Sequence, residues 1–167
     1  LQLSFDKAQT SYHASLNVAN LSQVVDEHLA GVIGEIDQGL LAARREYERD
    51  GPGIDLGVVP MPNLGPEGGV ARIEVIDAAG RLTAIRGTSG GAAANRAEAV
   101  EALAAHSAAD TDRLFIGRPV RSQRNGETRW EIPISRRLGR ADGSFAGVVL
   151  AAVESSFLSA VFDKVNI

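Results

Sequence analysis

Arg118, Trp130 and Arg136 are the residues of this chain best suited to holding a small molecule. Side chains alternate between faces along an extended strand. Trp130, Ile132, Ile134 and Arg136 therefore share one face, and Glu131, Pro133, Ser135 and Arg137 share the other. An arginine and a tryptophan on one sheet face would floor a site for a small anionic or zwitterionic ligand. The guanidinium takes a carboxylate in two parallel hydrogen bonds, and the indole covers an apolar part. The candidate ligand-binding residues are thus Arg118, Trp130, Ile132 and Arg136, with His106 from the preceding segment. The competing reading places Trp130 in the core and pairs Arg136 with a carboxylate such as Glu154.

Other chemistry has less support. His13 and His28 lie fifteen residues apart in a helical segment, about 22 Å along its axis, too far to share a metal. His106 stands alone near the end of an Ala-rich segment, where a surface or capping role is the ordinary one. There is no cysteine, which excludes disulfides, thiolate metal sites and a thiol nucleophile. The run GTSGG at Gly87–Gly91 lacks the Lys-Ser/Thr of a phosphate loop and reads as a linker. No serine occupies a Gly-x-Ser-x-Gly elbow. The expectation is a non-catalytic domain with no metal and no cofactor.

The elements that would position the candidate residues are legible from spacing. Leu21, Val25, Leu29, Val32, Ile36, Leu40, Ala43 and Tyr47 recur in steps of three and four, so residues 1–49 read as helix, ended by Gly51-Pro52. Such a helix would be roughly 70 Å long, longer than a domain of this size is wide, so part of it projects. Gly31, Gly34 and Gly39 read as small residues facing a crowded neighbour. Residues 51–69 are rich in Gly and Pro and form a loop. ARIEVIDAAGRLTAIRG is a strand pair, and a short helix capped by Asn95 runs to His106. From Leu114 to Phe157 come three strands, turned at Asn125-Gly126 and at Asp142-Gly143. The last of them, FAGVVLAAV, is apolar on both parities and so is central. Residues 155–165 end the chain as a short helix carrying Phe157, Val161 and Val165. The fold class is α+β, one mainly antiparallel sheet with the long helix across one face.

The 167 residues are 44% hydrophobic but only 5% aromatic, so the core is built from Ala, Val, Leu and Ile. A net charge of -4 argues against nucleic acid as a partner. Eight arginines nevertheless fall between Arg113 and Arg140, most of them expected on the solvated parity of the hairpin. No run of about 18 apolar residues could span a bilayer. The chain has no initiator Met, no signal peptide and an abrupt apolar end, as expected of a piece of a longer polypeptide.

ARIEVIDAAGRL, LFIGRPV and RWEIPISRRLGRADGSFAGVVLAAVESSFL resemble the extracytoplasmic PAS-like sensor domains called PDC or Cache domains. These occur in bacterial histidine kinases, diguanylate cyclases and chemoreceptors. The resemblance implies a signalling helix at 1–50 and a PAS-like sensor domain at 51–167, as the membrane-distal half of a two-module sensor. It implies a periplasmic position, membrane anchoring in the parent receptor, a homodimer through the N-terminal helix, and a small carboxylate, amino acid or amine as ligand. The chain departs from the family pattern at Ala102, Leu103 and Ala104, where aromatics and Arg are common. It departs again at Val120, near a family Tyr, and at Ala152, where amino-acid-binding members carry Asp. These departures argue against an amino-acid ligand. They leave an alternative function, a dimerisation or interaction module whose pocket has degenerated.

Overall fold

The computed structural model describes residues 18–65, 68–87, 96–108, 112–124 and 126–158, with side chains of Glu27 and of residues from Leu29 on except Arg124. Helix α1 spans Val18–Asp50. The expected helical residues 1–17 with His13, the His28 side chain, and the turn and cap residues Asn125 and Asn95 lie outside the described residues, as do most of the GTSGG run and 159–165. The α1 stripe buries Leu29, Ile33, Ile36, Leu40, Ala43 and Tyr47 against the sheet. Gly51 ends the helix at φ +70°, a conformation open to glycine without a Cβ clash. Two 3-10 turns, Gly51–Gly53 and Leu56–Val58, follow. Arg86 holds this loop by donating to the Val59 and Leu56 carbonyls at 2.8 and 3.3 Å. Gly39 is where the loop crosses α1, since a Cβ there would stand 2.7 Å from the Met61 sulfur. Gly31 and Gly34 face no such neighbour.

One antiparallel sheet contains β1 Val70–Asp77, β2 Leu82–Gly87, β3 Phe115–Ile116, β4 Val120–Arg124, β5 Glu127–Gly139 and β6 Phe145–Glu154. The order is β2-β1-β6-β5-β3, and β4 also pairs with β5. Strand β6 is central and buried at every position after Phe145, as its unbroken apolar run requires. Val149, Ala151 and Val153 pack towards α1, while Val148 and Leu150 pack towards helix α2, Ala97–Ala108. A helical turn at 155–158 follows β6. This is the expected PAS-like α+β arrangement. The Asp142-Gly143 turn forms as its residues dictate, with Gly143 at φ +86° and the Ser144 amide donating to Asp142 Oδ1 at 2.9 Å.

The structure departs from the expected three strands at LFIGRPVRSQR, which is two strands, β3 and β4, laid along one long partner. Pro133 explains the break. Its carbonyl accepts from the Gly117 amide at 2.8 Å, and a residue's N–H and C=O point to the same side of a strand. The amide proton that proline lacks would therefore have faced residues 117–119, and the ladder ends there. Glu101 of α2 satisfies the freed Arg118 amide at 2.9 Å. A Cβ on Gly117 would fall 2.7 Å from that carboxylate and 2.9 Å from the Pro133 ring, so a larger residue would displace the Glu101 contact.

Gly147 of β6 sits at φ +144°, and a Cβ there would lie 2.1 Å from the Ile76 carbonyl oxygen. Gly147→Ala should destabilise the domain by about 3 kcal/mol or more, because clash and backbone strain add. Gly31→Ala, in open space on a helix, should instead stabilise it by about 0.5–1 kcal/mol. Urea unfolding of the two variants beside the parent chain checks both signs.

Candidate functional site

Alternation along β1 sends Ile73 and Val75 to α1 and Arg72 and Glu74 to the opposite face. On β5 the same rule sends Glu131 to that opposite face. The start of α2 lies over it and adds Arg96 and Glu98. Arg72 donates to Glu131 at 2.8 Å and lies 3.3 Å from Glu74. Arg96 donates to the same Glu74 oxygen at 2.7 Å and lies 3.1 Å from Glu98. Arg72, Glu74 and Glu131 are 3%, 0% and 1% exposed. Burial works against the Arg72 charge, but Glu74 and Glu131 outweigh it and raise its pKa above the ordinary value.

Arg72, Arg96, Glu98 and Glu131 floor a cavity of about 340 Å³, with Val120 and Arg121 of β4 at its wall. Its lining carries two carboxylates, Glu98 and Glu131, and three arginines, Arg72, Arg96 and Arg121, while Glu74 is ion-paired to Arg72 and Arg96 outside the lining. Glu74 Oε2 is buried without a hydrogen-bond partner. Such a lining presents both signs of charge, guanidinium for a carboxylate and carboxylate for an amine. Among the described residues no cluster of His, Asp and Glu could hold a metal ion.

The residues expected from sequence do not converge on this cavity. Arg136 points to the α1 face, where both its terminal contacts to Asp37 are 2.8 Å and Asp112 lies at 3.3 Å. The alternative partner Glu154 instead meets Arg129 at 3.4 Å. Ile132 is buried in the α1 core. Trp130 shares that parity but lies beyond the helix, 49% exposed, with the Arg121 guanidinium 5.9 Å from its ring centre. Arg118 is exposed beside Glu101. His106 is buried under α2 with Nε2 3.0 Å from Ser135 Oγ and its ring edge-on to Phe115.

Arg72, Glu74, Arg96, Glu98 and Glu131 escaped the sequence reading. The available signal was charge inside the otherwise apolar strand ARIEVID. Arg72→Met should cost about 3–5 kcal/mol in a denaturant titration, because Glu131 stays buried without its cation and Glu74 keeps only Arg96. His106 predicts a pH effect. Burial lowers its pKa, and Arg136 and Arg137 add to this against Ser135 and Asp112. The unfolded chain therefore binds a proton near the usual value of about 6.5 that the folded chain refuses, so stability falls as pH drops below that value. Unfolding measured between pH 7.5 and 5 should show this slope, and His106→Gln should flatten it.

No protein-family model matches the chain, and no curated protein matches it. Solved structures do. The extracellular domain of rpHK1S-Z16, described as a histidine kinase, is 24% identical with a TM-score of 0.65, covering 96% of this chain and 63% of that one. An extracellular ligand binding receptor from Desulfohalobium retbaense is 19% identical with a TM-score of 0.57, covering 84% and 25%. The ligand-binding domain of a Pseudomonas aeruginosa amino acid chemoreceptor, in complex with GABA, is 18% identical with a TM-score of 0.55, covering 85% and 62%. The chain spans less than two thirds of each of these structures. At such identities the likeness is one of fold, and the fold is that of the extracytoplasmic PDC or Cache sensor domains.

Proposed function

We propose that this chain is the extracytoplasmic ligand-sensing domain of a transmembrane signal-transduction receptor. The cavity between the start of α2 and strands β4 and β5, floored by buried charge, is the observation that carries this reading. Its ligand is a small carboxylate that also bears a positive group. The Arg96 guanidinium meets the carboxylate, and Glu98 and Glu131 meet the positive group. The fold neighbour solved with GABA holds a ligand of that chemistry. The domain is periplasmic and anchored in the inner membrane through the parent polypeptide. Among the described residues no helix is long and apolar enough to cross a membrane. The signal passes through the terminal helices, and the ligand must bind two helix arrangements with different affinity to shift them.

The domain is non-catalytic in this reading. His106 and Ser135 touch, but at 3% and 1% exposure no substrate reaches them without opening α2. One observation favours a second reading, a dimerisation or interaction module acting through α1. Ala102 of α2, where the family carries an aromatic, is packed into the core at 1% exposure, with Leu103 packed against the same cluster.

A thermal-shift screen with small carboxylates, amines and zwitterions such as GABA separates the two. Ligand at about 100 times its dissociation constant should add about 2.7 kcal/mol, roughly 5–10 °C for a chain of this length. Arg96→Ala should weaken the response by about 1.5–3 kcal/mol. No response to any compound, together with a concentration-dependent dimer in sedimentation, would replace the first reading by the second.

A further inference from the structure

A second cavity, of about 500 Å³, lies between the C-terminal turns of α1 and the turn joining β5 to β6. Four arginines line it, Arg44, Arg45, Arg137 and Arg140, against two carboxylates, Glu48 and Asp112. Asp112 is already committed. It pairs with Arg44 at 2.7 Å and with Arg136 at 3.3 Å. Burial opposes its charge, but the two arginines outweigh burial and hold its carboxyl below the ordinary range.

The other guanidiniums are not neutralised by the groups they touch. Arg137 donates to the Gly143 carbonyl at 3.0 Å and covers the Phe145 ring. Arg140 donates to Ser144 Oγ at 3.2 Å and to the Phe145 carbonyl. Uncharged oxygens hold these forks in place and leave their charge unspent. Asp142 adjoins Arg140 and offsets part of its charge, while its Oδ1 accepts from the Ser144 amide and hydroxyl. Arg45 is exposed on the facing helix. Strict alternation would send Arg137 and Arg140 to opposite faces. The register shift between Leu138 and Gly139 breaks that alternation and allows both to line one cavity. Gly139 leaves room, since a Cβ there would stand 3.2 Å from the Arg137 fork.

We infer that this groove is an anion site distinct from the cavity on the opposite sheet face, taking a small doubly charged oxyanion such as a phosphate group or a dicarboxylate. Guanidinium forks fit both, because each presents paired oxygens on one centre. The site joins α1 to the β5–β6 turn, so an occupant would tie the long helix to the sheet.

Calorimetric titration with inorganic phosphate and with succinate, at ionic strength held constant with sodium chloride, tests the inference. Saturable binding of at least one of them is expected. Arg45→Ala combined with Arg140→Ala should weaken it at least about tenfold, Glu48→Gln should strengthen it, and Arg121→Ala should leave it unchanged. Both surface arginines are exposed, and an unaltered circular dichroism spectrum confirms that the double variant folds. Absence of saturable binding by either anion overturns the inference. So does binding that survives the double variant or responds only to ionic strength.

Discussion

Strand β6 sets the terms for everything around it. It is hydrogen-bonded to β1 along one edge and to β5 along the other, and helices cover both its faces. A strand so enclosed has no route to water for a polar side chain, and an unpaired charge there would be ruinous. It is accordingly apolar from Phe145 to Val153, and Glu154, at its end, meets Arg129. Polar chemistry is displaced to the flanking strands. Ala152 is buried in β6 at 1% exposure, so the floor of the cavity draws its charged groups from Arg72 on β1 and Glu131 on β5 instead.

Strand β5 carries different charges on its two faces. Towards α1 it presents Arg136, clasped by Asp37 and Asp112, and Asp112 in turn holds Arg44 of the helix. Towards α2 it presents Glu131, bound to Arg72. A displacement of β5 would be felt by ion pairs on both sides of the sheet at once. That gives the long helix and the charged cavity a shared mechanical element, made of contacts with defined partners rather than of general flexibility.

Much of this was legible in the sequence. The apolar steps of α1, the doubly apolar β6, the Asp142-Gly143 turn and the strand pair ARIEVID with LTAIRG all follow from local periodicity and turn chemistry. The site was not, for a physical reason. Alternation places Arg72 and Glu74 away from α1, which reads as solvent until α2 is laid over them. Arg136 finds Asp37 across 99 residues of chain, a pairing that no local pattern encodes. Trp130 has the parity of the α1 face, yet the strand outruns the helix at that point and leaves the indole half in water.

Pro133 has a consequence beyond splitting β3 from β4. The outer edge that the sheet offers beside β5 is a two-residue strand and a five-residue strand separated by a proline-containing gap. A foreign strand approaching that edge would find no continuous row of amides and carbonyls to copy. At the other margin, Arg86 of β2 is engaged with the loop after α1. The interruption in the ladder thus serves as protection against edge-to-edge aggregation, a hazard for any chain that exposes open β-structure.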